Sequence, residues 1–336
     1  MLRSVPWSML VVIIVSWNVR DLLRGCLKSL RESTLTAHGM RIIVVDNASS
    51  DRSVDMLRNE FPDALLVANT ANRGFTGGNN DGLQAAEALF NGYDPQSSYV
   101  LLLNPDTKVL PGALEAMIAY ADQHPDIGLL GPQLLYADGT VQSSRRRFID
   151  LPTAIFESTW LQPYAPRHLL DRYYMRECRD DMVCDVDWVY GAAMLVRRST
   201  YLQCGGLDEV NFFMYSEEMD WCKRIKAAPL PTDMTPSSTT KTWRVVYLPA
   251  AHIVHYEARS STQVSAQRDI YFNTSKVRYF RKHHGAAKAA LLRLLLLTMF
   301  TQQLSLEALK WLAGHKRPLR QARIRAYISV LRSGLR

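Results

Sequence analysis

The feature that most constrains the fold of this chain is a series of short apolar runs in its N-terminal third. Stretches compatible with helices separate these runs, and strands covered by helices on both faces read as continuous hydrophobic segments. This alternation is typical of βαβ units and predicts a doubly wound, parallel sheet in an α/β fold. The predicted strands are Met9 to Val15, Arg41 to Val45, Leu65 to Ala68 and Tyr99 to Leu103, and the predicted helices are Asp21 to Glu32, Ser53 to Phe61 and Asn79 to Phe90.

Polar or small residues follow every one of these predicted strands. In an open α/β sheet the carboxyl ends of the strands lie where ligands bind, so the polar ends together predict a cleft. Asp46 and Asp106 stand at the ends of apolar runs and are predicted to contact a ligand there. N-capping of the following helices is the alternative for such residues, and it is the favoured interpretation of Ser50 and Asp51.

The composition is that of a globular protein, with 47% hydrophobic and 21% charged residues, enough for one large domain with an appendage or for two domains. Five cysteines, an odd number without a CxxC pair, predict neither a disulfide framework nor a zinc site and favour a reducing compartment. The run Met9 to Val15 is too short to span a bilayer and no small-residue cleavage site follows it. We therefore interpret it as a buried strand and not as a signal peptide.

The second half of the chain contains further ordered segments and one polar insert. The segments are Val186 to Arg197, Phe212 to Ala228 and Val245 to His255. The insert, PLPTDMTPSSTTKT at 229–242, is rich in Pro, Ser and Thr and predicts a surface loop. The consecutive arginines 145–147 form a basic cluster that either meets the phosphates of a ligand or lies on a solvated loop.

The C-terminal tail is strongly basic. From Lys276 onward there are fourteen lysines and arginines against one acidic residue, whereas the whole chain carries a formal net charge of only +8. The longest uncharged run, Leu294 to Leu306, has thirteen residues, and a bilayer requires about twenty. The tail therefore predicts an interfacial amphipathic helix that does not cross the membrane, with a helical pair packed on the protein or on a partner subunit as the alternative. A leucine-rich tail with few aromatic residues does not favour nucleic-acid binding.

Seven motifs follow one another along the chain: VVIIVSWN, IIVVDNASSD, NRGFTGGNN, LLLNPD, VDWVYGAAMLVRR, GGLDEVNFFMYSEEMDWCKR and VYLPAAHIVHYEARSS. Taken in this order, they resemble the family 2 inverting glycosyltransferases and, within them, the rhamnosyltransferase-like branch. The resemblance covers Leu10 to Gly285 and implies a GT-A fold with a nucleotide-binding half at about 9–110 and an acceptor-binding half at about 111–285, followed by the helical tail 286–336.

The resemblance implies a nucleotide-sugar donor site at the strand ends. Asp46 matches the aspartate that contacts the nucleoside, and a carboxylate there can accept from a pyrimidine N–H or a ribose hydroxyl. The glycines of NRGFTGGNN permit close approach to a bound group, with an ordinary turn as the alternative. The implied donor-site residues are Ser16, Trp17, Asn18, Asp46, Asn72, Arg73, Gly74, Gly77, Gly78, Asn79, Asn104, Trp188 and Glu217.

The resemblance also implies a divalent metal ion. Asp106 falls where many members of the family have Asp-x-Asp, and it would ligate Mg²⁺ or Mn²⁺ at the donor diphosphate. This chain has one of the two usual carboxylates, so the diphosphate and water would complete the coordination. His255 matches a late histidine that can be a second ligand. His252 is the competing candidate, and on a strand its side chain would face the opposite side.

Glu218 matches the general base of the family. Transfer with inversion requires a base that takes the proton of the acceptor hydroxyl, and relatives typically have Glu-Asp where this chain has Glu217-Glu218. The longer side chain moves the carboxylate by about a bond length, and a shift of about 1 Å can cost 10²-fold in rate. Acidic residues also favour the first turn of a helix, so a solvated helix end is the alternative.

The favoured function is transfer of L-rhamnose from dTDP-rhamnose onto a lipid-linked or growing cell-surface glycan. The partners expected from this are a dTDP- or UDP-linked donor, a polyprenyl-diphosphate or polysaccharide acceptor and the inner face of the cell membrane, which the tail would contact from the cytoplasm; a homo-oligomer is also compatible. Transfer of a hexose or galactofuranose from a UDP donor is one alternative. A degenerate module that binds a glycan or nucleotide sugar without turnover is the other.

Overall fold

The computed structural model describes residues 8–37, 39–157, 159–231, 242–257 and 265–336. The chain divides into two compact units. The first comprises 1–148, 172–209 and 218–260, and the second comprises 149–171, 210–217 and 261–336. The domain boundary predicted at residue 285 stays a prediction.

The first unit is built on a mixed sheet of ten strands among the described residues. The strand order is β3-β2-β1-β4-β11-β6-β12-β5, with β7 beside β6 and β9 beside β12, while β8 and β10 form a separate pair. Strands β1 to β4 are parallel to one another and β11 runs antiparallel to β4. The strands are β1 (Met9–Ser16), β2 (Met40–Asp46), β3 (Leu65–Ala68), β4 (Ser98–Leu103), β5 (Thr107–Val109), β6 (Ile127–Leu135), β7 (Val141–Gln142), β8 (Arg145–Arg146), β9 (Cys184–Asp185), β10 (Trp188–Val189), β11 (Ala193–Arg197) and β12 (Arg244–His255).

The predicted α/β alternation is confirmed, and the first four strands end within one residue of their predicted bounds. Strands β1 and β4 are buried almost throughout because they lie in the middle of the sheet. The helices are α1 (Arg20–Arg31), α2 (Ser53–Glu60), α3 (Gly74–Glu87), α4 (Ala113–Gln123), α5 (Leu151–Phe156), α6 (Arg167–Tyr173), α7 (Arg198–Cys204), α8 (Glu217–Ala227), α9 (Ser265–His284), α10 (Ala286–Leu312) and α11 (Arg317–Ser333).

Helix α3 begins five residues before the predicted start at Asn79. The glycine-rich segment that suggested a turn forms the first part of this helix and packs against β1. A Cβ atom on Gly78 would lie 2.7 Å from Val15, and one on Gly82 would lie 2.3 Å from Ile13. The absence of side chains at these positions lets the helix approach the sheet closely.

Strand register brings the polar strand ends of the first unit together. Ser16 at the end of β1 is opposite Asp46 at the end of β2. At the other side of the sheet, His255 ends β12 opposite Thr107, the residue after Asp106, and the backbone N–H of Tyr256 donates to the carbonyl of Asp106 at 2.9 Å.

The predictions for the cysteines and for the polar insert have different outcomes. Cys178 and Cys184 form a disulfide with Cα atoms 6.7 Å apart, so the expectation that the cysteines would not pair is wrong at this position. Two cysteines six residues apart can be joined by a local turn that a cysteine count does not reveal. Most of the polar insert, 232–241, lies outside the described residues, but Pro229 and Thr242 at its two ends form an antiparallel bridge.

The second unit is helical, and α9, α10 and α11 pack against one another. Glu307 on α10 accepts two hydrogen bonds from the guanidinium of Arg320 on α11, at 3.0 and 2.8 Å. Phe300 and Tyr327 also join the two helices, with ring centroids 5.8 Å apart. The alternative of a packed helical pair therefore describes part of the tail.

Helix α10 nevertheless leaves much of its apolar surface exposed. Its 27 residues are long and apolar enough for a membrane span by length and composition, and 22% of the apolar window is buried within the structure. One helical face carries five exposed leucines, and their spacing keeps them on the same side of the helix. These leucines are Leu291, Leu294, Leu306, Leu309 and Leu312.

Candidate active site

Asp106 and His255 form the centre of the candidate site. Asp106 follows β4 by three residues and His255 is the last residue of β12, so the sheet brings together two side chains that are 149 positions apart in sequence. Oδ1 of Asp106 lies 3.5 Å from Nε2 of His255, and each residue is 7% exposed. His252 is exposed on the same strand and does not share this position.

A chain of hydrogen bonds fixes the orientation of the His255 ring. Gln142 donates from Nε2 to Oε1 of Glu257 at 2.6 Å, so its own Oε1 faces Nδ1 of His255 at 3.0 Å. Because the amide oxygen accepts, Nδ1 is the donor, and Nε2 is the ring nitrogen that faces the carboxylate of Asp106. An imidazole that is protonated at Nδ1 alone can coordinate a cation through Nε2, together with the carboxylate oxygen.

The donor set fits a divalent metal ion. A carboxylate oxygen suits Mg²⁺ and Mn²⁺, and an imidazole nitrogen shifts the preference toward Mn²⁺. The described residues contain no group of three or more His, Cys, Asp and Glu side chains arranged for a metal. Among these residues, Asp106 and His255 are therefore the two side chains that would hold a metal ion at this position.

A buried thiol supports the turn that carries Asp106. The Cys26 thiol lies 3.7 Å from the carbonyl of Asn104 and 3.5 Å from Oγ1 of Thr107. Burial, and to a smaller extent the charge of Asp106, raises the pKa of the Cys26 thiol to about 12. This cysteine therefore stays protonated at neutral pH and acts as a packing residue and not as a nucleophile.

Ser16 and Asp46 form a second polar pair at the ends of β1 and β2. Asp46 is 2% exposed and accepts from the backbone N–H of Ser49 through Oδ2, at 2.9 Å. Its Oδ1 and the hydroxyl of Ser16 are buried without a hydrogen-bond partner among the described residues. Buried polar atoms are rarely left so in folded proteins, so the pair is a candidate binding position.

Several other predicted donor-site residues bond within the protein. Asn18 accepts from the backbone N–H of Ser50 at 2.7 Å and has a left-handed φ of 54°, which ties the end of β1 to the segment after β2. Arg73 forms ion pairs with Asp81 and, at 3.0 Å, with Glu209. The remaining bonds are Asn72 to the N–H of Gly74 at 2.8 Å and Asn79 to the carbonyl of Phe75 at 2.8 Å.

The glycines of this region differ in what surrounds them. Gly74 has a φ of +73° at the start of α3, a conformation that favours glycine. Gly77 faces Arg73, at 3.0 Å from its ideal Cβ position, and Gly78 faces Val15. The structure thus gives Gly78 a packing function.

Two other predicted donor-site residues, Trp17 and Asn104, are partly exposed, and their side chains make no hydrogen bond among the described residues.

Glu218 lies in the first turn of α8, where the helix dipole stabilises a carboxylate. The backbone before it is unusual, because Tyr215 and Ser216 have φ values of 71° and 67°. Consecutive left-handed residues other than glycine are strained and occur most often at functional sites.

One short segment connects Glu218 with the turn that carries Asp106. The ideal Cβ position of Gly191 lies 3.8 Å from Cβ of Glu218. The next residue, Ala192, accepts a hydrogen bond from the backbone N–H of Asn104 at 2.9 Å. Of these two adjacent residues, Gly191 therefore lies beside the candidate base and Ala192 is hydrogen-bonded to the turn that carries Asp106.

Trp188 and Glu217 are both largely buried. The indole N–H of Trp188 donates to the carbonyl of Arg147 at 3.0 Å, and its ring stacks on Tyr190. Glu217 is the first residue of α8 and is 4% exposed.

Sequence reasoning missed Gln142 and Glu257. Glu257 lies within a quoted motif and Gln142 lies outside all seven, and an amide and a carboxylate 115 positions apart give no sign of contact until β7 and β12 are placed in the sheet. The alternation around His255 offers one signal, because Glu257 lies two residues later in a strand-like segment.

Comparison with known proteins gives a family for this arrangement. The family model of glycosyl transferase family 2 matches residues 11–194. The N-acetylglucosaminyl-diphospho-decaprenol L-rhamnosyltransferase of Mycobacterium tuberculosis is 30% identical over 256 residues, which are 76% of this chain and 78% of that protein. The rhamnosyltransferase WbbL of Escherichia coli is 25% identical over 74% of this chain and 83% of its own.

Solved structures resemble the fold at low sequence identity. GalNAc-T7 with UDP, GalNAc and Mn²⁺ superposes with a TM-score of 0.53 at 14% identity, over 83% of this chain and 55% of that one. The mannosyltransferase PcManGT from Pyrobaculum calidifontis, with GDP-Man and Mn²⁺, has a TM-score of 0.51 at 16% identity, over 98% of this chain and 90% of its own. The fold is that of a GT-A glycosyltransferase, and the chain belongs to glycosyl transferase family 2.

Proposed function

We propose that this glycosyltransferase moves L-rhamnose from dTDP-rhamnose onto a polyprenyl-diphosphate-linked glycan, with inversion at the anomeric carbon. The mycobacterial relative, whose name specifies a rhamnosyl donor and a diphospho-decaprenol acceptor, supports the choice of sugar and acceptor class. The observation that carries the chemistry is the approach of Asp106 to His255, at 3.5 Å, on a turn joined to the segment beside Glu218.

In this proposal the donor binds along the carboxyl ends of the parallel strands. Asp46 would accept from the nucleoside through Oδ1, which has no hydrogen-bond partner among the described residues. Asp106 and His255 would hold Mg²⁺ or Mn²⁺, which, when bound, neutralises the charge that develops on the departing diphosphate. Gln142 holds the His255 ring so that Nε2 faces the same point as the carboxylate of Asp106.

Glu218 is the proposed general base. Its carboxylate would take the proton of the acceptor hydroxyl as the oxygen attacks the anomeric carbon from the side opposite the diphosphate. The proposal requires a carboxylate that stays ionised at neutral pH, and the first turn of α8 favours this.

The proposed location is the inner face of the cell membrane, reached from the cytoplasm. The exposed leucine face of α10 would insert into the interface, while the lysines and arginines of the tail contact anionic headgroups. Removal of residues 286–336 should release the protein from anionic liposomes in a flotation assay. Retained binding by the shortened chain would contradict this location.

A hexose from a UDP donor is the second candidate, favoured by the 26% identity to the hexosyltransferase Agl10 of Haloferax volcanii over 55% of this chain. A panel of dTDP-rhamnose, UDP-hexoses and UDP-galactofuranose, incubated with a prenyl-diphosphate-GlcNAc acceptor and analysed by mass spectrometry, separates the candidates. Transfer from dTDP-rhamnose with the inverted anomer supports the proposal. Transfer from UDP donors alone would support the second candidate function. Donor binding without turnover would identify a binding module.

A further inference from the structure

Among the three consecutive arginines 145–147, only Arg146 has a guanidinium without an acidic partner among the described residues. The proposed function gives this side chain no task. Its two neighbours are both neutralised: Arg145 contacts Asp180 at 2.6 Å, and Arg147 contacts Glu177 at 3.6 Å and Asp187 at 4.0 Å.

Arg146 is a buried residue, 7% exposed, on the short strand β8. Its Nη1 donates to Oγ of Ser143 at 2.9 Å and to the carbonyl of Arg145 at 2.7 Å. Nε and Nη2 make no hydrogen bond within the described part of the chain, and neither is among its fully buried unsatisfied atoms. These two nitrogens form the edge of the guanidinium that binds carboxylates and phosphates through two parallel hydrogen bonds.

Three tyrosine rings surround the guanidinium. Its Cζ lies 4.5 Å from the ring centroid of Tyr174, 5.4 Å from that of Tyr190 and 5.8 Å from that of Tyr173. Aromatic faces stabilise the cation and restrict its orientation, but they supply no negative charge. A buried cation without an anion is unfavourable, so the arrangement is complete only when an anion occupies the Nε–Nη2 edge.

One of the three tyrosines around Arg146, Tyr190, is close in sequence to a residue beside the proposed base. Tyr190 donates its backbone N–H to the carbonyl of Ser144 at 3.2 Å. The next residue is Gly191, whose ideal Cβ position is 3.8 Å from Cβ of Glu218. Tyr190 is therefore next in sequence to the glycine beside the proposed base, which would take the proton of the acceptor hydroxyl, while the donor diphosphate is assigned to Asp106 and His255.

We infer that the Nε–Nη2 edge of Arg146 binds the diphosphate of the prenyl-linked acceptor. This inference rests on the proposed function for the identity of the anion. The tyrosine rings restrict the orientation of the guanidinium, and the acceptor diphosphate supplies the negative charge that the described residues do not.

The kinetic test uses Arg146→Lys, which keeps the positive charge and removes the two parallel donors Nε and Nη2. Arg147→Lys is the matched control. A charge-assisted bidentate contact predicts about a tenfold or larger rise in KM for a prenyl-diphosphate-GlcNAc acceptor. The donor KM and transfer to an alkyl GlcNAc glycoside without phosphate should not change. A rise in donor KM would assign the edge to the donor diphosphate and overturn the inference, as would equal behaviour of the two variants.

A binding test separates this inference from the proposed function. Geranyl diphosphate is titrated calorimetrically into the full chain in EDTA, where no metal contributes, and the thermal melting of each variant confirms its folding. Wild type and Arg147→Lys should bind alike, and Arg146→Lys about tenfold more weakly. If no donor supports transfer, the proposed function fails, but this titration still decides the anion site: equal binding by the two variants would refute it.

Discussion

Two buried carboxylates, one in each unit, show how the same chemical group is used in opposite ways. Glu307 in the helical unit accepts two hydrogen bonds from Arg320, so the chain itself supplies the compensating cation. Asp106 in the sheet unit lies 3.5 Å from Nε2 of His255, whose other ring nitrogen faces Gln142. The first arrangement is a structural ion pair, whereas the second is the one that we propose to hold a metal ion.

Substitution of Asp106 tests this comparison with the largest expected effect. Asp106→Ala removes the carboxylate that would hold the metal at the donor diphosphate, and the loss of several kcal/mol of charge stabilisation predicts about a 10⁴-fold fall in kcat. Radiolabelled sugar transfer measures it. Glu307→Gln should transfer sugar at the wild-type rate. An equal rate for Asp106→Ala would contradict the comparison.

Glu218→Gln removes the proposed base while keeping the shape of the side chain. We expect kcat to fall by about 10³-fold, within the range for general-base catalysis, with the donor Kd unchanged. Stopped-flow donor binding and steady-state transfer measure the two quantities. A variant that loses donor binding instead would place Glu218 in the donor site.

Gln142→Leu sharpens the comparison by releasing the ring of His255. Outer hydrogen-bond partners of metal ligands typically contribute about 10–100-fold to metal affinity, so the Mn²⁺ Kd should rise by about that factor, which calorimetry measures. Gln96→Leu is a suitable control, because Gln96 is a partly buried residue of the same type in a different part of the unit, where its Oε1 accepts a hydrogen bond from Ser199 at 3.1 Å. Unchanged Mn²⁺ affinity in Gln142→Leu would show that the hydrogen-bond chain does not orient the ligand.

Glu307→Gln should give the smallest effect and should act on stability alone. Burial acts to raise the pKa of Glu307, but the hydrogen bonds and charge of Arg320, with Arg323 and Lys310, outweigh it and hold the pKa below its ordinary value. The stabilisation is therefore complete above the unfolded-state pKa of about 4.3 and is lost as the pH falls through the folded-state value.

Thermal unfolding at neutral and acidic pH measures this difference. The substitution should lower the free energy of unfolding at pH 7 by about 1–3 kcal/mol, and the gap to wild type should shrink below pH 4. A gap that grows on acidification would contradict the assignment of Glu307 as a paired, ionised carboxylate.

The sheet was predictable because burial dominates its sequence. A short run as apolar as Tyr99 to Leu103 is buried most readily as a central strand, and β4 matches the prediction to within one residue. The start of α3 was not predictable, because glycines at 77 and 78 weaken a helix locally and are used here for close packing on Val15. Tertiary contact decides such cases against local propensity.

The candidate site was predictable in its charged members and not in the contacts that orient them. Asp106 and His255 stand in recognisable motifs, but Gln142, Glu257 and the surroundings of Arg146 depend on pairings between distant strands. The Cys178–Cys184 disulfide escaped prediction for a different reason, because a count of cysteines does not show that a local turn brings two of them together.

The central claim is that the Asp106–His255 pair is a divalent metal site. Electron paramagnetic resonance of Mn²⁺, titrated into the full chain with saturating dTDP, tests it most directly. The account predicts one tightly bound ion for wild type and for Glu307→Gln, and no tightly bound ion for Asp106→Ala or His255→Leu. Equal binding of Mn²⁺ by all four proteins would contradict it.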